Sequence, residues 1–269
     1  INFYSMSENY LSINKNSWNK RTAIHVESDF YDVPGFLAGK NSLNSIELKL
    51  LGELKGKKVL HLQCHFGQDS ISLARLGAKV TAVDFSDAAI DYAIKLNEQT
   101  NTDVRFVCCD VYDLPNQLDE KFDIVFTSYG TIGWLPDINK WASVVSHFLK
   151  PSGEFIIAEF HPVVWMYDNA FSKIQYRYFN DAAIEETEEG TYTNPDAEIK
   201  QEYVSWNHGL GEVVNSLINQ GLSILSLNEF DYSPYNCFSH TVEFEPGKFQ
   251  IKHWENKVPM VYAIKARKG

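Results

Sequence analysis

Two rhythms alternate along the chain: short continuous apolar runs that stop at glycine or an acid, and longer stretches in which apolar residues recur every third or fourth position. Val59, Leu60 and Leu62 form one such run and lead into a turn closed by Gly67. Ile71, Leu73, Ala74 and Leu76 then recur at helical spacing before Gly77. A second run over 80–83 ends in Asp84, and Ser86 stands where a helix N-cap belongs. Residues 58–87 therefore predict a βαβ unit. The same alternation continues with a helix over 88–99, strands over 104–109 and 122–127, a helix from Pro136 and Asp137 to 149, and a strand over 154–160. Ahead of the unit, helices are expected over 10–20 and 41–55, with a turn at Pro34 and Gly35. After 163 the pattern changes. Apolar–polar alternation over 173–179 and 198–204 predicts the two strands of a hairpin, and Glu185, Glu186, Glu188 and Glu189 between them predict a solvated tip. A helix over 208–220 and strands over 222–230 and 258–266 close the chain.

A βαβ unit brings its first loop to a helix N-terminus whose free N–H groups attract negative charge, and an acid ending the second strand can accept bonds from both ribose hydroxyls. That geometry suits a nucleoside-bearing ligand, with Asp84 as the ribose acid. The loop His-Leu-Gln-Cys-His-Phe-Gly over 61–67, followed by Asp69, and the acid at 84 resemble the S-adenosylmethionine (SAM) site of class I methyltransferases. The loop is similar to that of a bacterial subfamily of small-molecule methyltransferases. Family loops usually read acid-x-Gly-x-Gly-x-Gly; here His61, Gln63, His65 and Gly67 hold those places, so only the last glycine is kept. Gln63 and His65 must therefore avoid positive φ or turn their side chains from the ligand. The resemblance implies a Rossmann-like seven-stranded mixed α/β sheet, its last strand inserted antiparallel beside the fifth, with an inserted β-hairpin lid after strand five. It also implies one domain over 1–269, with 1–40 as a cap segment and 163–206 as the lid.

The resemblance further implies the site. Gln63, Cys64, His65, Gly67, Asp69 and Ser70 are expected around the methionine part of SAM, and Asp84, Phe85 and Ser86 at the ribose and adenine. Asp110, Val111 and Tyr112 are expected at adenine, with Ser128 and Tyr129 near the sulfonium. Tyr129 and Trp134, in the exit loop of the fourth strand, either contact the reacting centre or only pack. His161, where the fifth strand exits, is a candidate base beside Tyr129, or it simply bonds nearby backbone. Trp18, His25 and Tyr31 are candidate pocket residues or core aromatics. Asp84, at the ligand edge of the sheet, is expected to contribute little to the core.

Composition narrows the reading. With 24 Lys and Arg against 35 Asp and Glu the net charge is −11, which opposes a polyanionic substrate, so the expected acceptor is a small molecule and not nucleic acid. Cys64, Cys108, Cys109 and Cys237 lack metal-ligand spacing, and they are expected as buried thiols in a reducing cytoplasm. No metal site is expected. No basic-then-apolar leader is visible, and no apolar run reaches the roughly 20 residues that span a bilayer, so a soluble cytoplasmic monomer or homodimer without a membrane partner is expected. The expected activity is methyl transfer from SAM to an oxygen, nitrogen or carbon. Two rivals share the βαβ unit: a SAM-binding module without catalysis, and a nicotinamide oxidoreductase, which the missing Gly-x-Gly-x-x-Gly disfavours.

Overall fold

The computed structural model describes residues 9–269; the part of the expected cap segment before residue 9 lies outside them. Three helices come first, α1 (Tyr10–His25), α2 (Val33–Leu37) and α3 (Ser45–Leu51). The expected alternation follows: β1 (Lys58–Leu62), α4 (Gln68–Arg75), β2 (Lys79–Asp84), α5 (Asp87–Thr100), β3 (Val104–Cys108), α6 (Leu114–Gln117), β4 (Phe122–Ser128), α7 (Ile138–Phe148) and β5 (Leu149–Phe160). The remainder is β6 (Ile184–Glu189), β7 (Lys200–Ser205), α8 (Leu210–Asn219), β8 (Leu222–Phe230), β9 (Thr241–Glu245), β10 (Lys248–Ile251) and β11 (Val261–Lys268).

Seven strands form one mixed sheet in the order β3-β2-β1-β4-β5-β11-β8. β1 pairs in parallel with β2 and β4, whereas β11 runs antiparallel between β5 and β8. Alternate residues of the central strands enter opposite cores. Leu60, Leu62, Phe155 and Ile157 pack with Trp141 and Val145 of α7 and Leu217 of α8, while Val59, Ile124 and Ile156 pack with Ile71 of α4 and Ile90 of α5. A sheet buried on both faces needs no polar side, which is why these strands read as continuous apolar runs. The carboxyl ends of β1, β2 and β4 thereby meet on one edge.

The segment after β5 departs from the expectation. Residues 173–179 form no strand; β6 is instead the acidic stretch 184–189, paired antiparallel with β7 so that Glu186 faces Tyr203 and Glu188 faces Gln201. The glutamates are no solvated tip, because alternate ones are satisfied from the inner side. Glu186 accepts from the phenols of Tyr176 and Tyr203, and Glu188 meets Arg21 at 2.9 Å. Polar satisfaction replaces the apolar alternation by which a strand is normally recognised. The long connection after β8 also carries the β9–β10 hairpin, which the apolar pattern does not announce. The thiols differ as well: only Cys64 is buried, Cys108 is exposed, and Cys109 and Cys237 are intermediate.

Helix α1 lies against β7. Asn14 completes the strand edge with its side chain: Nδ2 donates to the Val204 carbonyl at 2.8 Å, and the Val204 N–H donates to Oδ1 at 2.8 Å. Ser17 and Arg21 both donate to Gln201 Oε1, and Gln201 Nε2 donates to the Gly190 carbonyl. Asn14→Ala strands a buried N–H and a buried C=O at once, at about 1–3 kcal/mol for each group. We expect a stability loss of about 2–4 kcal/mol in urea unfolding, together with faster hydrogen exchange at the Val204 amide. A loss below about 0.5 kcal/mol, within the range of ordinary surface substitutions, would show that α1 is held by its other contacts.

Candidate active site

The loop after β1 sets the site. Gln63 at φ 56°, His65 at φ 50° and Gly67 at φ 83° all occupy the left-handed region, so the two residues standing at glycine positions keep the glycine-like backbone. Their side chains turn aside as that conformation requires. Gln63 Nε2 donates to the Thr131 carbonyl at 2.7 Å, and His65 Nε2 lies 3.0 Å from His25 Nδ1, with Trp18, Tyr31 and Phe66 packed around the His65 ring. Gly67 is fixed for a different reason. A Cβ there would stand 2.8 Å from the Phe106 ring and 3.0 Å from Ala93 Cβ, so β3 and α5 demand the glycine. His61, in the place of the family's acid, is buried against Ser70 Oγ at 2.8 Å, and burial lowers its pKa to about 3, so it is neutral.

Asp84 ends β2 with both oxygens engaged: Oδ2 accepts the His65 N–H at 2.8 Å and Oδ1 the Ser86 N–H at 2.9 Å. Burial raises its pKa to about 6 against the lowering effect of the Ser86, His65 and Phe85 amides. The buried acid therefore ties backbone together as well as lining the cavity, more than the small structural part expected of it. Ser86 caps α5 by accepting the Ala89 N–H, and its hydroxyl donates to Asn19 of α1. Asp110 accepts the Tyr112 N–H at 3.1 Å, and burial raises its pKa too.

These groups border one cavity of about 1000 Å³. Gln63, Cys64, His65, Gly67, Asp69, Asp84, Phe85, Asp110, Val111, Ser128 and Tyr129 line it. Ser70, Ser86, Tyr112 and His161 lie outside it. Ser70 is turned to His61, and the Tyr112 hydroxyl donates to the Asp137 carbonyl. His161 accepts the Val163 N–H on Nδ1 and faces Glu229 of β8 at 2.9 Å, with its pKa lowered by burial. Across the cavity from the loop, α1 and the β6–β7 hairpin supply Trp18, Arg21 and Tyr203, and Trp134 joins them from the exit loop of β4. The Arg21 guanidinium sits 5.3–5.5 Å from the centres of those three rings. Gln63 Oε1 and His65 Nδ1 are buried without hydrogen-bond partners among the described residues.

Two carboxylates of the site escape notice in the sequence. Glu159, at the end of β5, accepts the N–H groups of Gly130, Thr131 and Ile132 and the Thr131 hydroxyl, which fixes the β4 exit loop. Glu47 of α3 is fully buried; Oε1 accepts the Asn44 N–H at 2.6 Å and Oε2 the Tyr129 hydroxyl at 2.8 Å. Asn44 followed three residues later by Glu47 is a capping-box signal, and it locates the helix start without disclosing the bond to Tyr129. Asp69 accepts the Ser128 hydroxyl at 3.2 Å, and burial raises its pKa against the Ser42 and Ser128 hydroxyls. No group of three or more His, Cys, Asp or Glu among the described residues is placed to hold a metal ion, and none of the described helices is long and apolar enough to cross a membrane.

Residues 59–153 match a methyltransferase domain family. A ubiquinone biosynthesis O-methyltransferase of Coxiella burnetii is 30% identical over 133 residues, covering 48% of this chain and 56% of that protein. The chain thus spans little more than half the length of the curated relatives it matches. A SAM-dependent methyltransferase structure from Clostridium acetobutylicum aligns over 95% of this chain and 98% of its own with TM-score 0.58 at 18% identity. One from Mesorhizobium loti aligns over 86% and 100% with TM-score 0.56 at 18% identity. With the strand order and the antiparallel β11, these likenesses give the chain the class I SAM-dependent methyltransferase fold, and residues 59–153 are similar to the methyltransferase domain.

Proposed function

We propose that the protein transfers the methyl group of SAM to a small-molecule acceptor. The observation that carries this reading is the left-handed turn at Gln63, His65 and Gly67 set against the Asp84 carboxylate, which leaves polar atoms without partners at the cavity wall. Gln63 Oε1 is oriented by the bond from Nε2 to Thr131, so it offers an acceptor to a ligand ammonium, and Asp69 with Ser128 offers a second. Asp84 retains lone pairs for ribose hydroxyls. Phe85 and Val111 give the adenine apolar walls, and Asp110 gives its amino group a carboxylate. SAM would supply a methyl group already activated by its sulfonium. The chain would then align the nucleophile at Tyr129 and Trp134 and keep water out with α1 and the hairpin, which act as a lid. The O-methyltransferase name of matched relatives and the acid-lined cavity support a small acceptor over nucleic acid.

S-adenosylhomocysteine (SAH) at about a hundred times its Kd should stabilise the protein by about 2.7 kcal/mol, which corresponds to a rise in Tm of about 5–10 °C. NADH at the same concentration should leave Tm unchanged. A larger shift with NADH would overturn the cofactor assignment.

Asp84→Ala should cost about 2–5 kcal/mol of SAH affinity, or about thirtyfold to several thousandfold, since each bond to a charged acceptor is worth about 1.5–3 kcal/mol. Ribose hydroxyls donate to the ionised carboxylate, whose pKa is about 6 in the free protein. Affinity should therefore be level above that pH and fall as Asp84 protonates, to about tenfold below its plateau near pH 5. Calorimetric titrations across this range check both statements. A pH slope that survives in Asp84→Ala would move the titrating group elsewhere.

A further inference from the structure

Tyr129 stands at the mouth of the β4 loop with an unusual backbone. Its φ is 46°, its N–H donates to the Ala158 carbonyl at 2.7 Å, and its ring packs against Phe160 and Tyr235. The ring lines the cavity, yet the hydroxyl donates at 2.8 Å to Glu47 Oε2, behind the wall. Among the described residues Glu47 bonds Asn44 and Tyr129 and forms no ion pair. Asn44 supplies the N–H and side-chain amide on Oε1, and that amide also donates to the Tyr235 hydroxyl at 2.7 Å. A helix N-terminus needs a capping glutamate, but capping uses Oε1 alone. Oε2 is left to serve one phenol that faces the cavity.

We propose that Tyr129, backed by Glu47, takes the proton of a phenolic hydroxyl as that oxygen is methylated, so that the acceptor is a hydroxyarene. This rests on the methyl-transfer reading of the same cavity. The acceptor O–H bond breaks and a new O–H bond forms on Tyr129 Oη, while the original Tyr129 proton passes to Glu47 Oε2. The acceptor oxygen forms its bond to the methyl carbon as the carbon–sulfur bond breaks. The sulfonium charge and the Glu47 charge disappear together, leaving a neutral thioether, a neutral ether and a neutral carboxylic acid. After product release the proton returns through Tyr129 to water in the cavity.

The chemistry of the wall selects the hydroxyarene. The rings of Trp18, Trp134, Tyr203 and Phe160, with the Arg21 guanidinium over the first three, suit a flat electron-rich ring. An amine entering beside Asp69 and Glu186 would be held as its ammonium, which has no lone pair to methylate. A phenol enters neutral and needs a base. Burial first, then the nearby Asp69 carboxylate, raises the Glu47 pKa to about 7, against the Asn44 N–H and the Tyr129 hydroxyl. A base of that strength can take a proton from a phenol at modest cost, whereas an aliphatic alcohol is out of its reach. The other titratable groups around Glu47 do not displace this role. Tyr232 and Tyr235 lie near it as neutral phenols, and Lys265 of β11 is engaged by Glu154 and the Leu50 carbonyl.

The test uses the full chain with labelled SAM and three acceptors of rising acidity: phenol, 4-nitrophenol and pentafluorophenol. Glu47→Gln and Tyr129→Phe should each lower kcat on phenol by about a hundredfold or more. The loss should shrink along the series, because pentafluorophenol is already ionised at neutral pH and has no proton to give. The parent kcat on phenol should rise with pH to a level above about 7, and Glu47→Gln should abolish that limb. Binding gives a readout without turnover. The SAH-loaded protein should prefer phenol to anisole by about fivefold, as one hydrogen bond allows, and Tyr129→Phe should erase the preference. Equal losses across the three acceptors would reduce Glu47 to a capping residue and overturn the proposal. SAH binding without methylation of any of the three would overturn the phenolic acceptor while leaving the cofactor assignment standing; failure to bind SAH would remove the reading on which both depend.

Discussion

The loop after β1 holds Gln63 and His65 in the left-handed region, where a side-chain-bearing residue is disfavoured by roughly 1–2 kcal/mol, and it keeps that shape because Asp84 takes the His65 N–H. A hydrogen bond to a charged acceptor is worth about 1.5–3 kcal/mol, enough to offset the strain at one of the two residues. The second is held by the bond from Gln63 to Thr131. Since the other oxygen of Asp84 takes the Ser86 N–H, one buried carboxylate fixes the loop against the start of α5. A glycine loop needs no such clamp. The exchange of glycines for Gln63 and His65 therefore increases the dependence of the site on Asp84.

The same substitution ties the loop to the cover of the cavity. His65 reaches His25 at the end of α1, and burial lowers the pKa of both rings, so the pair is neutral and shares one proton in a single hydrogen bond. If His25 donates, His65 Nδ1 carries a proton; if His65 donates, that nitrogen presents a lone pair, so the tautomer of His65 is tied to that of a residue on α1. From α1 the contacts continue to the hairpin through Asn14, Ser17 and Arg21. In a glycine loop this connection would have no side chain to carry it.

The central sheet was legible because its strands are buried on both faces and read as unbroken apolar runs, whereas β8 is largely exposed and the antiparallel place of β11 followed from the family resemblance. The acids at 84 and 110 were legible by their place at strand ends. The hairpin was misplaced because the inner side of β6 is built of glutamates satisfied by Arg21, Tyr176 and Tyr203, and a strand stabilised by such bonds has no apolar period. Glu47 and Glu159 were not legible as site residues at all. Each acts on the β4 exit loop from an element distant in sequence, and long-range polar contacts leave no local mark.

Charge placement decides whether this cavity favours binding or reaction. Methyl transfer discharges the sulfonium, so a carboxylate aimed at the sulfur would stabilise the reactant more than the transition state and slow the step. Acids serve best at the far ends of the ligand, where charge and hydrogen bonding do not change. On the proposed reading Asp84 and Asp110 would serve there, tied to backbone N–H groups at the ends of β2 and β3. The proposal puts Tyr129 and Trp134 at the reacting end, where rings attract a cation more weakly than a carboxylate does. Glu47 stands behind Tyr129 rather than in the cavity wall, and a base placed there loses its own charge in the same step that removes the sulfonium's. The low dielectric of the buried site would favour that mutual neutralisation, since poorly solvated charges are removed and none is formed.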